Sequence, residues 1–275
     1  MEFEIGIEIT GNFTNGSIRE AQGRTEEVRT KTNSDALGSL MKCVVEGAKK
    51  FGYDAPDLLK RTQLVKLRAP EIVTETLANK TGARVGLVVS KGYEGNAYFE
   101  GRSKNLVLDV FVVRELIVGI EEEVTVRGEQ VLKPGEEEVK DKLRYLLEFG
   151  SGIIVVSFHH STLNPANERL VKRLIESDYP RHYLGAVPVL VSTDYSNEHD
   201  DFLRTNVSLL NAYTWFNVDR FLRRVETLLR QHGYNHSLLV AQADGGVVDI
   251  PKVTPLKTYA SDQIRFIKSM YNDLR

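Results

Sequence analysis

The chain has 275 residues, of which 41% are hydrophobic, and its 36 lysine and arginine residues nearly balance its 38 aspartate and glutamate residues. This composition supports one large α/β unit or two small domains and excludes a general electrostatic footprint for nucleic acid or an anionic membrane. The single cysteine excludes an intramolecular disulfide. Because no signal peptide precedes the first strand and no apolar run approaches the roughly 18 residues that span a bilayer, we expect a cytoplasmic protein.

The first third of the chain predicts strands, then helices and strands in alternation. Apolar alternation indicates strands, and Gly52 follows a helical pattern that an Asp or Ser can cap. The predicted elements are two or three strands over 3–31 with a turn at 11–16, a helix from Ser34 or Asp35 to about 51, a strand near 64–67, a helix over 71–80 and a strand over 84–90.

The remainder predicts further β/α units after an irregular, strand-rich stretch. The predicted elements are a strand over 106–113, an acidic hairpin over 121–131, a helix over 136–149, a strand over 153–158, a helix over 166–177, a strand over 187–192, a helix over about 198–232 and a strand over 238–242. This order argues for α/β layers. We expect the first hairpin to pack beside the strand over 84–90, in one sheet that the strand over 153–158 extends.

The turn after the first strand has the residue types of a phosphate-binding hairpin. Gly11 would let the backbone approach an anion, and Asn12 and Thr14 would add polar donors. Glu8, on the first strand, would hold a metal-bound water. An ordinary exposed hairpin is the alternative, because Thr-Gly-Asn also favours turn geometry.

Two histidines follow the strand over 153–158, at the sheet edge where α/β proteins place ligands. Adjacent residues on an extended segment point to opposite faces, so we do not expect His159 and His160 to share a metal. We expect the ring of His160 to hydrogen-bond to neighbouring loop backbone. We predict no metal site in the chain.

Three further groups have both a structural and a functional interpretation. The acidic cluster that contains His199, Asp200 and Asp201 begins a predicted helix, where capping explains it better than metal binding. Arg204 and Asn211 share a helix face and would line a cleft or anchor the helix. Gly245 and Gly246, after Asp244, would allow a tight turn or close approach to a ligand.

Five blocks of the sequence carry a resemblance to a known family. They are residues 5–15, 81–93, 156–168, 204–213 and 240–247. In this order they resemble the hydantoinase A/oxoprolinase family, which includes large subunits of ATP-dependent acetone and acetophenone carboxylases. The resemblance implies one lobe of the ribonuclease H-like ATPase fold of actin, sugar kinases and heat-shock chaperones. It also implies an N-terminal-like domain over 1–185 and the truncated start of a second family domain over 186–275.

The first block departs from the family pattern. Where the family has Asp, Gly, Thr and Asp, this chain has Glu8, Thr10, Asn12 and Asn15. Displacing a catalytic group by about 1 Å can lower a rate on the order of 100-fold. Asp262 also stands where the family has the Gly of Ser-Gly-Pro-Ala, placing a carboxylate where a phosphate would pass.

The resemblance therefore implies ATP and Mg at the level of a complex, with neither bound tightly by this chain. The residues implied in the degenerate site are Glu8 as the catalytic carboxylate and Gly11, Asn12, Thr14, Gly245 and Gly246 as the nucleotide-binding set. We expect the chain alone to be inactive.

These features predict a small degenerate subunit of a multisubunit ATP-dependent ketone carboxylase of the acetophenone type, or of a hydantoinase-type hydrolase, with an assembly or regulatory role. One alternative is half of an active hydantoinase or oxoprolinase completed by a partner chain, and another is a free-standing binding protein without catalysis. The expected partner is a larger carboxylase- or hydantoinase-type subunit, or a second copy. It would contact the segment 255–275 through Ile264, Phe266, Ile267 and Met270.

Overall fold

The computed structural model describes residues 2–21, 23–33, 35–97, 111–178 and 187–272. The chain divides into two compact units. Unit 1 comprises residues 1–79 and 217–262, and unit 2 comprises residues 80–216 and 263–275. Ser34 and most of the predicted strand over 106–113 lie outside the described residues. The domain boundary between residues 185 and 186, which rests on the family resemblance, stays a prediction.

The described strands and helices follow in chain order. The strands are β1 (Phe3–Ile9), β2 (Phe13–Glu20), β3 (Thr25–Lys31), β4 (Thr62–Arg68), β5 (Val85–Ser90), β6 (Ile117–Ile120), β7 (Glu123–Val124), β8 (Gln130–Leu132), β9 (Ile153–Ser157), β10 (Val189–Val191), β11 (Leu238–Ala241) and β12 (Val247–Asp249). The helices are α1 (Ala36–Lys50), α2 (Ala55–Lys60), α3 (Glu71–Ala78), α4 (Glu136–Glu148), α5 (Ala166–Asp178), α6 (Ser192–Tyr195), α7 (Asp201–Gln231), α8 (Pro255–Tyr259) and α9 (Gln263–Asn272).

Unit 1 is built on a six-stranded mixed sheet in the order β12-β11-β4-β1-β2-β3. The strands β1, β4 and β11 are parallel, while β2, β3 and β12 pair antiparallel with their neighbours. Alternate residues of β1 are buried, as the period of two in a strand requires. Helix α1 packs on β1, β2 and β3 and buries Leu40, Val44 and Ala48. The core of unit 1 therefore lies between this helix and one face of the sheet.

Unit 2 contains a four-stranded parallel sheet in the order β10-β9-β5-β6. Every residue of β5 and β9 is buried, which is typical of a parallel sheet covered on both faces. Side chains of α4 and α5, including Leu143, Leu146 and Val171, share a core with Val156. The acidic hairpin predicted over 121–131 is present as β7 and β8.

The predicted single sheet is wrong. We expected the first hairpin beside the strand over 84–90, but Ile5 of β1 lies opposite Val65 of β4. The strands β5 and β9 belong to the separate sheet of unit 2. The physical reason is that β4 fills the free edge of β1, so that β1 already has a neighbour on each side.

The apolar tail is also less exposed than predicted. Ile267 of α9 has 1% of its surface exposed, and Ile264 and Phe266 are half-buried. The chain thus covers Ile267 itself, and that side chain does not need a partner. Within the residues that the structure describes, no helix is both long and apolar enough to cross a membrane.

Candidate functional site

The β1–β2 turn is built by the side chain of Thr10. The backbone N–H of Thr10 donates to the carbonyl of Phe13 at 2.9 Å, and Thr10 Oγ1 donates to the same carbonyl at 2.7 Å. The N–H of Phe13 donates back to Thr10 Oγ1 at 3.3 Å. The threonine that replaces a family glycine therefore closes this turn with its own hydroxyl.

A carboxylate lies against the glycine of the turn. A Cβ added at Gly11 would be 3.1 Å from Glu71 Oε1. Glu71 is the half-buried first residue of α3. The space that a phosphate would need over the Gly11 backbone is thus bordered by a negative group.

The other residues predicted for this turn have protein partners. Thr14 is fully buried, and its Oγ1 lies 2.9 Å from Thr32 Oγ1. Glu8 Oε1 accepts a hydrogen bond from Arg68 Nη1 at 2.6 Å, and about a third of each of these two side chains is exposed. Asn12 is exposed, and its carbonyl accepts from the N–H of Thr32. The hydroxyl of Thr14 is therefore directed into unit 1 rather than toward a ligand.

Gly245 and Gly246 form the turn between β11 and β12. Gly245 has φ of 88° and donates to the carbonyl of Gln242, while the N–H of Gly246 donates to Asp244 Oδ1 at 2.9 Å. Only glycine adopts this φ without strain. Because β1, β4 and β11 are parallel, this turn lies at the same sheet edge as the β1–β2 turn, with Arg68 between them. The structure thus brings the predicted nucleotide-binding residues to one edge, as two turns with their own internal hydrogen bonds.

The sheet face opposite α1 is open and polar. Gly16 and Ile18 of β2 face α1, so Ser17 between them faces away. This face holds a cleft of about 530 Å³ that Glu8, Lys66 and Arg29 help to line. Neither Lys66 nor Arg29 forms an ion pair with another described residue. The guanidinium of Arg29 instead stacks on the ring of Phe13, 3.7 Å from its centroid. The open face of unit 1 therefore presents two cations that form no ion pair with the described residues.

In unit 2 the rings of His159 and His160 lie together at the end of β9. The expectation that these adjacent residues point to opposite faces is wrong. The ring centroids of His159 and His160 are 3.6 Å apart. His160 has φ of 53°, so the backbone is not extended there and the two rings lie on one side. His160 Nδ1 lies 3.0 Å from the carbonyl of Val124, so its partner is backbone, as expected, but the backbone of strand β7 rather than of a neighbouring loop. No group of three metal-ligating side chains converges among the described residues.

Two acidic residues at the start of α7, Asp200 and Asp201, have different roles. Asp200 Oδ1 accepts from the N–H of Leu203 at 3.2 Å, as a helix cap does. Asp201 instead pairs with His159 Nδ1 and with Arg204. The capping prediction is confirmed for Asp200, whereas the partners of Asp201 were missed because His159 is 42 residues away in the chain.

Arg204 and Asn211 both anchor α7 within unit 2. The side chain of Arg204 is fully buried. Its guanidinium donates to Ser192 Oγ and to the carbonyls of Phe158 and Glu198. Asn211 donates to Gln263 Oε1 at 2.8 Å. Anchoring was one of the two roles predicted for this helix face.

A buried carboxylate lies next to the histidines. Glu122 accepts hydrogen bonds from Ser90 Oγ and from Asn167 Nδ2, the latter at 2.7 Å. Burial raises the pKa of Glu122, and hydrogen bonds from Ser90 and Asn167 oppose this effect. Ser90 Oγ also accepts from the N–H of His159 at 2.8 Å. These bonds connect the ends of β5 and β9.

The mixed α/β fold and the sequence both place the chain among known proteins. Residues 4–179 match the model of the hydantoinase/oxoprolinase N-terminal region, and the chain belongs to this family. It is 27% identical over 271 residues to the acetophenone carboxylase gamma subunit of Aromatoleum aromaticum, covering 93% of this chain and 37% of that protein. The predicted family and the predicted α/β fold class are confirmed.

Two solved structures share the fold. The nucleotide-free structure of acetone carboxylase aligns with a TM-score of 0.74 at 21% identity, covering 98% of this chain and 41% of that one. The ATP-dependent caprolactamase of Pseudomonas jessenii aligns with a TM-score of 0.73 at 19% identity, covering 89% and 36%. The chain spans little more than a third of the length of these relatives.

Proposed function

We propose that the chain is a small subunit of a multisubunit ATP-dependent ketone carboxylase of the acetophenone type, or of a hydantoinase-type hydrolase. Its role is assembly or regulation, and it does not itself hydrolyse ATP. The similarity to a carboxylase subunit and to ATP-dependent enzymes supports the kind of complex. One observation supports the claim that this chain does not itself hydrolyse ATP, namely the Glu71 carboxylate beside Gly11.

The residues of the turn do not fit a triphosphate. Two unit charges about 4 Å apart interact by about 1 kcal/mol in water and by about 4 kcal/mol at an effective dielectric constant of 20. A phosphate over Gly11 would meet this repulsion from Glu71 and would find the Thr14 hydroxyl already bonded to Thr32. The β1–β2 turn of this chain therefore does not fit ATP with its Mg ion.

The assembly role rests on the open sheet face of unit 1. Lys66 and Arg29 line its cleft without ion pairs among the described residues. We propose that an acidic surface of a larger carboxylase- or hydantoinase-type subunit covers this face, because complementary charge favours such an encounter. The half-buried Ile264 and Phe266 of the segment 255–275 stay a second predicted contact, while the side chain of Met270 lies outside the described part of the chain.

Calorimetric titration with Mg-ATP tests the nucleotide claim. We expect no binding at micromolar concentrations for the unmodified chain and for Glu75→Ala, a matched control at an exposed position of α3. Glu71→Ala should bind at least about tenfold more tightly, since about 1.4 kcal/mol corresponds to tenfold in affinity. A low-micromolar dissociation constant for the unmodified chain would show that the nucleotide site is functional.

Co-purification with a larger carboxylase- or hydantoinase-type subunit from the same organism tests the assembly claim. We expect Lys66→Glu to reduce recovery of the partner. Lys42→Glu, at an exposed position of α1, should leave the recovery unchanged. ATP hydrolysis that appears on mixing and disappears in Glu8→Gln would instead favour the alternative of an active half-site. Absence of any stable complex would favour a free-standing binding protein.

A further inference from the structure

Unit 2 has the strand arrangement at which α/β proteins bind small molecules. In chain order the strands of its parallel sheet are β5, β6, β9 and β10, while their order in the sheet is β10-β9-β5-β6. The next strand, β6, lies on one side of β5, whereas β9 and β10 lie on the other side. The direction in which strands are added to the sheet therefore reverses between β5 and β9. Ligands of such sheets bind beyond the carboxyl ends of the strands at this reversal. Ser90 and His159 lie there, joined by a hydrogen bond of 2.8 Å.

At this position His159 is held by groups on three sides. Its Nδ1 pairs with Asp201. The ring of Tyr93 stacks on it with centroids 4.2 Å apart and planes inclined by 21°, and the His160 ring contacts it at 3.6 Å. These contacts fix the orientation of the imidazole. Its side chain is 29% exposed, and Nε2 forms no hydrogen bond with any residue that the structure describes.

The environment of Asp201 makes it a hydrogen-bond acceptor for His159. The buried guanidinium of Arg204 donates to the other carboxylate oxygen of Asp201. An ionised carboxylate can only accept. The neutral imidazole therefore carries its proton on Nδ1 and keeps its lone pair on Nε2, as in a carboxylate–histidine dyad of a hydrolytic enzyme.

We propose that His159 is the general base of a second site, at which Nε2 takes a proton from water or an alcohol that attacks an uncharged carbonyl compound. Asp201 is its positioning residue. The charges nearby favour an uncharged ligand, because the side chain of Arg204 is fully buried and Lys91 is paired with Glu121. Neither cation is free to bind an anion. This site lies in unit 2 and does not use the β1–β2 turn.

Hydrolysis of p-nitrophenyl acetate is a suitable test, because the ester is uncharged and its leaving group is coloured. His159 Nε2 accepts a proton from water, the water oxygen bonds to the acetyl carbon and the bond to p-nitrophenolate breaks. The imidazolium then returns the proton to the phenolate or to solvent. We expect His159→Gln to lower the protein-dependent rate at least about tenfold, since a positioned base contributes typically 10²–10⁴-fold.

His199→Gln is the matched control. His199 is an exposed loop imidazole whose Nδ1 lies 3.2 Å from the neutral hydroxyl of Thr162 rather than from a carboxylate. We expect it to hydrolyse the ester at the unmodified rate. Equal rates for His159→Gln and His199→Gln would refute the proposal.

Nitrogen-15 NMR of the imidazoles tests the positioning role independently of any substrate. When His159 is neutral we expect its proton on Nδ1, and we expect Asp201→Asn to shift this tautomer while Asp200→Asn, which keeps the helix cap, does not. A proton on Nε2 in the unmodified chain would overturn the assignment. This measurement and His159→Gln decide the matter even if the loss of Asp201, the partner of buried Arg204, prevents folding.

Discussion

Glu122 shows how strongly a single buried carboxylate depends on its neighbours. It is 8% exposed and lies between the hydroxyl of Ser90 and the amide of Asn167. These donors solvate the carboxylate, yet burial still raises its pKa above the ordinary value for Glu. In the folded chain Glu122 therefore binds its proton more tightly than it does in the unfolded chain.

This difference predicts a pH-dependent stability. A raised folded-state pKa contributes stability that is full below the unfolded pKa, near 4.5, and is lost as the pH rises through the folded pKa. Relative to Glu122→Gln, the unmodified chain should thus lose stability as pH rises above about 4.5, by about 1.4 kcal/mol for each tenfold change in proton affinity. Urea unfolding of both proteins between acidic and neutral pH measures it. A difference between them that does not vary with pH would contradict the prediction.

Cys43 should be chemically inert. It is buried on α1, and burial raises the pKa of its thiol to about 11. Since only the thiolate is nucleophilic, roughly one molecule in a thousand would be reactive at pH 8. We expect iodoacetamide to modify the native chain far more slowly than the urea-unfolded chain, as measured by mass spectrometry. Because the chain has one cysteine, rapid alkylation of the native protein would directly show that the thiol is accessible.

At the scale of elements, the contact between α1 and β2 depends on a glycine. A Cβ at Gly47 would collide with Cδ1 of Ile18. Alanine has the higher helix propensity, by about 1 kcal/mol, but overpacking a core destabilises by about 1–3 kcal/mol. Because these two effects oppose each other, we expect Gly47→Ala to lower the free energy of unfolding by about 1 kcal/mol, between about 0 and 2 kcal/mol.

Ile18→Val provides the test, because it removes the colliding atom. In that background Gly47→Ala should be neutral or stabilising, so the two substitutions should be non-additive in a double-mutant cycle measured by chemical denaturation. Lys42→Ala, at an exposed site of the same helix, should change stability by less than about 0.5 kcal/mol. Additive effects would mean that the contact with Ile18 does not limit this position.

The elements themselves could largely be predicted from the sequence, because periodicity is a local property. The apolar run of β5 and the amphipathic pattern of α1 appear at the expected residues. Which strands pair is not local, so β1 was assigned to the wrong neighbour. The same limit applies to the sites. The β1–β2 turn could be recognised, but Glu71 beside Gly11 and Asp201 beside His159 are contacts that only the fold creates.

At the scale of the whole molecule, Tyr234 joins the two sequence segments of unit 1. It is fully buried, and its hydroxyl accepts from the N–H of Val65 and donates to the carbonyl of Ser237. Tyr234→Phe leaves the buried N–H of Val65 without this acceptor, which costs about 1–3 kcal/mol. We expect faster amide hydrogen exchange in β4 and β11 and unchanged exchange in β5 and β9 of unit 2. Equal acceleration in both sheets would show that the units unfold together.

The interruption of unit 1 by residues 80–216 has a consequence for biosynthesis. A ribosome releases β4 long before β11, the strand that pairs with it. Throughout this interval the edge of β4 that faces away from β1 lacks its partner strand, while residues 80–216 of unit 2 are being made. Domains generally fold as units while the chain is synthesised. Residues 80–216 of unit 2 are therefore expected to fold first, and the sheet that carries the β1–β2 turn is completed only when residues 238–241 leave the ribosome.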